Sequence, residues 1–125
     1  MRRTVSTDRA PRPVGQYSQA IVAGGFVFVS GQLGIDPDTG ELEDGVARQV
    51  ERALLNVKAI LEAAGSSLDR VVKVTAFLAS SELYAEFNEA YSRFFGRDPP
   101  ARSVAFCSLP RGALVEVEAI ALARV

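Results

Sequence analysis

Histidine is missing from all 125 residues, and there is a single cysteine. Without histidine there can be no Ser-His-Asp or Cys-His arrangement, no imidazole metal ligand and no side chain that ordinarily titrates near neutrality. One cysteine can close neither an internal disulfide nor a zinc site, and it suits a reducing compartment. No apolar run approaches the ~18–20 residues of a membrane-spanning helix. The opening Met1-Arg2-Arg3-Thr4 has no apolar segment behind it of the kind a signal peptide carries. A cytoplasmic protein is expected. An excess of charge is lacking too: 14 basic residues stand against 15 acidic, a net charge of −1. That balance gives no bulk attraction to nucleic acid or to anionic membranes. Chemistry is left to carboxylates, arginine, hydroxyls, backbone groups and water.

What is present is ordinary for a globular chain, with 48% hydrophobic and 23% charged residues. The length predicts one domain over residues 1–125, with room for a real core. Residues 1–16, with Pro11, Pro13 and Gly15, read as an arm with at most a short edge strand. Tyr17–Ala23 is a strand candidate, Gly24-Gly25 a turn, and Phe26–Ser30 a strand apolar on both faces, broken by Gly31–Gly34. Asp36–Gly40 is a turn by composition. From Val46 the apolar period becomes helical: Val46, Val50, Ala53, Leu54, Val57, Ile60, Leu61 and Ala64. Asp44 is the expected N-cap of that helix and Gly65 its C′ residue. Val71–Leu78 is a β-branched strand. Ser80 or Ser81 caps a second helix with the stripe Leu83, Phe87, Ala90, Tyr91 and Phe94, ended by Gly96.

The stretch from Pro99 to Ala121 organises the chain. It reads as two strands joined at Pro110-Arg111-Gly112, with Arg102 heading the first and Glu116 and Glu118 alternating along the second. A terminal hairpin would set Arg102 opposite Ala121 and Glu116 opposite Cys107. Arg102 and Glu116 would then lie roughly 15 Å apart in one chain and meet only across a subunit contact. In the last strand, Val115, Val117, Ala119 and Ala121 form one face, and Leu114, Glu116, Glu118, Ile120 and Leu122 the other. Two helices cover only one side of such a sheet, so the apolar remainder predicts oligomerisation.

Several segments together are recognisable: Gly15–Ala20, Ser30–Gly34, Asp36–Leu42, Phe87–Tyr91, Phe94-Phe95, Pro100–Ser103 and Leu109–Ala121. They resemble the RidA (YjgF, reactive intermediate deaminase) family, in matching order from about residue 12 to the C-terminus. The resemblance implies an α+β, chorismate-mutase-like ββαβαββ fold with a mixed sheet and two helices on one face. It also implies a homotrimer with three clefts at its subunit interfaces, and no metal or organic cofactor. The implied activity is hydrolysis of 2-imino or 2-enamino acids, such as 2-aminoacrylate and 2-iminobutyrate, to 2-keto acids and ammonia. Arg102 is a natural fork for the substrate carboxylate, and by resemblance Glu116 orients the attacking water. Tyr17, Ser30, the Gly31 backbone and Asn88 match positions lining the cleft. The chain is one residue shorter than the family pattern between Arg102 and Leu109. Val104 therefore stands two residues after Arg102, where some members place a cysteine, and its backbone carbonyl is the expected contact. Gln16 replaces the commoner proline before Tyr17.

Blander roles stand beside these. Arg102 could serve a structural salt bridge, Tyr17 an interface, Ser30 its turn and Asn88 a supporting hydrogen bond. Glu116 could be structural, a role that suits Glu118 better still, and Cys107 reads as a small buried hydrophobe. Two rivals to the deaminase reading remain: an endoribonuclease or translation inhibitor, and a non-enzymatic small-carboxylate binder or chaperone-like trimer. The charge balance and missing histidine count against the first. The second would need Arg102 but not Glu116.

Overall fold

A computed structural model describes residues 1–123. Its strands are β1 (Arg2–Val5), β2 (Ala20–Ala23), β3 (Phe26–Leu33), β4 (Val71–Leu78), β5 (Ala101–Phe106) and β6 (Val115–Leu122). Two helices, α1 (Val46–Ala63) and α2 (Tyr84–Ser92), lie between β3 and β5 in the chain. The six strands form one mixed sheet in the order β1-β2-β3-β6-β4-β5. Every neighbouring pair is antiparallel except β4 and β5, which run parallel with α2 as their crossover. The α+β expectation holds, and the short edge strand of the arm is β1.

The predicted terminal hairpin does not form. β5 pairs with β4, setting Arg102 beside Val74, and β6 inserts between β3 and β4, setting Glu116 between Leu33 and Phe77. The Pro110–Gly112 segment is a 3₁₀ turn in which Arg111 takes φ 60° and Gly112 φ 68°. Cys107 N–H donates to the Leu78 carbonyl and Ala79 N–H to the Leu114 carbonyl, so the chain passes the end of β4 between them. The apolar alternation of β6 explains why the centre wins. Val115, Val117, Ala119 and Ala121 are all buried there, and an edge position would leave much of that surface in water.

Other boundaries shift for local reasons. Gly31 does not end β3; the strand runs on to Leu33 through a register irregularity between Val29 and Gln32. β2 starts at Ala20 rather than Tyr17, because Tyr17 lies in a turn closed by its own N–H on the Gly15 carbonyl. Gly45, at φ 80°, is the N-cap of α1 in place of Asp44 and offers no capping side chain. Gly65 occupies the left-handed position after α1 as expected. Ser80 Oγ accepts from Glu82 N–H and caps the 3₁₀ turn that leads into α2, which stops at Ser92 instead of running to Gly96.

Both helices cover the same sheet face. Leu54, Val57, Ile60 and Leu61 of α1 and Phe87 and Ala90 of α2 pack in one core with Val27, Val74, Ala76, Leu78, Val115 and Val117. Gly34 is required by this packing, since a Cβ there would stand 2.5 Å from the Gln49 backbone of α1. Buried Gln49 donates to the Glu43 carbonyl and accepts from Leu114 N–H, tying α1 to the start of β6. Among the described residues nothing covers the opposite face: Phe26 and Phe28 are about two-fifths exposed, with Leu122 and Val72 close to them in exposure. Cys107 is exposed rather than buried, because β5 is the sheet edge and ends just before it.

Candidate functional site

Glu116 is the second residue of β6 and points to the uncovered face, since Val115 and Val117 on either side are turned into the core. The β3 irregularity brings Gly31 against it. A Cβ at Gly31 would come within 2.8 Å of the Glu116 carboxyl carbon, so only glycine leaves the carboxylate its place. Burial, and secondarily the neighbouring charge of Glu118, pushes the Glu116 carboxyl above the usual carboxylate range.

Glu116 and Gly31 line a cleft of about 640 Å³ whose far wall is the N-terminal arm, including Tyr17 and Arg12. Buried Gln19 holds that arm in place. Its Oε1 accepts from Thr7 N–H at 2.7 Å, and its Nε2 donates to the carbonyls of Thr7 and Pro11. Ser30 Oγ donates to the Ser18 carbonyl at 2.6 Å, fixing the turn beside half-exposed Tyr17. Arg111 closes the rim by donating to the Gly40 carbonyl at 3.1 Å. Sequence reasoning passed over Gln19 and Arg111; a left-handed arginine after a proline carries no signature of its own.

Arg102 belongs to the other side of the sheet. Its β4 partner Val74 is buried under the helices, and parallel partners share a face. The guanidinium lies over the rings of Tyr91, Phe87 and Tyr84, at 4.9, 5.4 and 5.8 Å from their centroids. It also donates to the Tyr84 hydroxyl at 3.0 Å. Those aromatics fall at spacings of three and four on α2, which stacks them along one stripe. Tyr91 is buried, and burial pushes its phenol up to about 12 against the opposing pull of Arg102. No carboxylate pairs with Arg102 among the described residues. Its salt-bridge alternative is not realised. Arg102 and Asn88 line a second hollow, of about 480 Å³, which includes neither Tyr17 nor Glu116.

Within one chain the candidates thus divide. Tyr17, Gly31 and Glu116 line one cleft, with Ser30 bonded to the Ser18 carbonyl and outside its lining; Arg102 and Asn88 line the other hollow, and half-buried Val104 packs against the core on the Arg102 side. The expected separation of Arg102 from Glu116 holds, although two strands across the sheet rather than a hairpin produces it. Tyr84 is the residue sequence reasoning missed on the Arg102 side. Its helical spacing from Phe87 was the available signal.

The profile of the Endoribonuclease L-PSP family matches residues 7–123. The chain belongs to this family, which is the RidA/YjgF family. A solved structure from Thermotoga maritima MSB8 is 54% identical, covers 100% of both chains and superposes with a TM-score of 0.94. The human 2-iminobutanoate/2-iminopropanoate deaminase is 40% identical over 124 residues, spanning 98% of this chain and 90% of that protein. The crystal structure of E. coli TdcF with bound serine is 38% identical with a TM-score of 0.93, covering 98% of this chain and 99% of that one. Among the described residues no helix is long and apolar enough to cross a membrane.

Proposed function

We propose that this protein hydrolyses 2-imino acids, and their 2-enamino tautomers after tautomerisation, to 2-keto acids and ammonia. The carrying observation is a guanidinium held over aromatic rings with no carboxylate partner among the described residues. A cation so placed has N–H donors left for an incoming anion. The human deaminase among the relatives, and the serine bound to TdcF, support a small substrate bearing a carboxylate.

Arg102 and Glu116 of one chain face opposite sides of the sheet, so the working site is composite. Oligomerisation over the uncovered face, as a homotrimer, brings Arg102 of one copy to the Glu116 cleft of another. The substrate carboxylate sits on Arg102, with Asn88 and the Val104 carbonyl beside it and Tyr17, Ser30 and the Gly31 backbone enclosing the imine. Glu116 accepts a proton from a water whose oxygen attacks C2, and that proton passes to the imine nitrogen. In the carbinolamine the hydroxyl proton then passes to the amino nitrogen, the C–N bond breaks with its electron pair leaving on ammonia, and the C=O bond of the keto acid forms. A carboxyl raised by burial is a better proton acceptor near neutrality than an ordinary one. The barrier is modest, and positioning supplies much of the acceleration.

Imine generated in situ from serine or threonine with a dehydratase tests this. Wild type should accelerate imine decay, Arg102→Ala should not, and light scattering should give three times the chain mass. No acceleration by folded trimer sinks the reading. Binding of 2-keto acids that needs Arg102 but ignores Glu116→Ala would instead favour a non-enzymatic carboxylate binder.

A further inference from the structure

We propose that Tyr84 is a binding residue that completes the carboxylate seat of Arg102, its hydroxyl donating the hydrogen bond the guanidinium fork cannot supply. The inference rests on the deaminase reading for its substrate class, and on geometry for the rest. Arg102 Nη2 donates to Tyr84 Oη at 3.0 Å, so the phenol acts as acceptor toward the cation and its own proton remains to be donated. Tyr84 has no other side-chain hydrogen bond among the described residues. It is 39% exposed, whereas the other phenol over the same cation, Tyr91, is 6% exposed with its hydroxyl buried. Of these two phenols it is Tyr84 that is open to solvent, and it lies outside the hollow that Arg102 lines with Tyr91.

An anion docked on the remaining Nη2 N–H lies next to Oη, because both are then a hydrogen bond away from the same nitrogen. Accepting from a cation also polarises the O–H and strengthens its donation, as in other chained hydrogen bonds. Position follows from the chain: Ser80 caps the turn that launches α2, and Tyr84 is the first residue of that helix. Its ring centroid lies 6.5 Å from that of buried Phe87, with the two planes tilted by 40°, a contact that helps set the direction of the hydroxyl. The seat therefore offers a fork from β5 and a single donor from α2, converging on one carboxylate.

The test uses the full chain, wild type against Tyr84→Phe, with 2-oxobutanoate and its uncharged counterpart 2-oxobutanamide as calorimetric probes and imine hydrolysis as the kinetic arm. Phenylalanine keeps the ring over Arg102 and removes one oxygen. Expected are a roughly 3- to 10-fold weaker Kd for 2-oxobutanoate, a similar rise in KM, kcat within about twofold, and a reduced preference for acid over amide. An unchanged melting temperature accompanies these. Unchanged Kd and KM overturn the proposal, as does equal weakening toward acid and amide, which would make Tyr84 a packing residue. Failure of wild type to bind 2-oxobutanoate also overturns it. Wild type that binds 2-oxobutanoate through Tyr84 yet leaves imine decay unchanged upholds the seat and sinks the deaminase reading alone.

Discussion

The two polar centres of this molecule solve opposite problems. Arg102 is a cation given a soft floor: three aromatic rings and a phenolic oxygen surround it, and no carboxylate neutralises it among the described residues. Glu116 is an anion given a hard wall, pressed against a backbone with no Cβ and repelled by Glu118. One centre waits for negative charge, and the other is poised to take up a proton. The strands that carry them send them to opposite faces of the sheet. On the proposed function the two centres act together, and each is what a second copy would bring to the other.

The sharpest way to break the comparison is to remove the cation. Arg102→Ala should lower kcat/KM for imine hydrolysis on the order of 10²- to 10³-fold, since a bidentate charge-assisted contact is lost. The same variant reports on the proposed meeting of the two centres. If Arg102 of one copy faces Glu116 of another, its loss raises the pH at which the residual activity falls off in acid. An unmoved acid limb would deny the contact.

Glu116→Gln should cost roughly 10- to 100-fold in kcat with KM less affected, because the water loses its proton acceptor. It also has a stability signature. A carboxyl raised in the fold contributes stability that is fully present below its unfolded pKa and lost as pH rises through the raised value. Glutamine removes that loss, so the variant should melt higher than wild type at neutral pH and equally in acid, as calorimetry would read. Gly31→Ala drives a methyl into the Glu116 carboxylate, which can swing aside, so it should remove most of the activity while shifting the urea denaturation midpoint little. The smallest effect belongs to Glu118→Gln. It removes the lesser of the two causes raising Glu116, so the acid limb of the activity profile moves to lower pH by less than burial contributes. A limb that stays put would remove Glu118 from the account.

Much of this was readable in the chain. The alternation of β6 announced its buried and uncovered faces residue by residue, and the helical stripe of α1 ran from Val46 as the period required. Pairing was the part that local signals misstated. Pro110-Arg111-Gly112 carries turn chemistry, and turn chemistry says where the chain bends but not which strand receives it. The partner of β6 was decided by apolar area spread over β3, β4 and both helices, which no short window contains. Gly31 read as a breaker because glycine ends strands and also makes bulges, and the carboxylate that selects the second use lies 85 positions away. Tyr84 fell outside the core stripe read from the sequence, and only a β5 arginine resting on it marks it out.

One consequence of the strand order concerns synthesis. The last strand made, β6, is the one that joins β1-β2-β3 on one side to β4-β5 on the other. On the ribosome, β3 and β4 have no bridge between them until residues 115–122 have left the exit tunnel, so the sheet cannot close before then. Nascent chains stalled before that point would hold α1 without the floor that Val115, Val117 and Ala119 provide, leaving an apolar helix for chaperones to shield. The keystone of this fold arrives last.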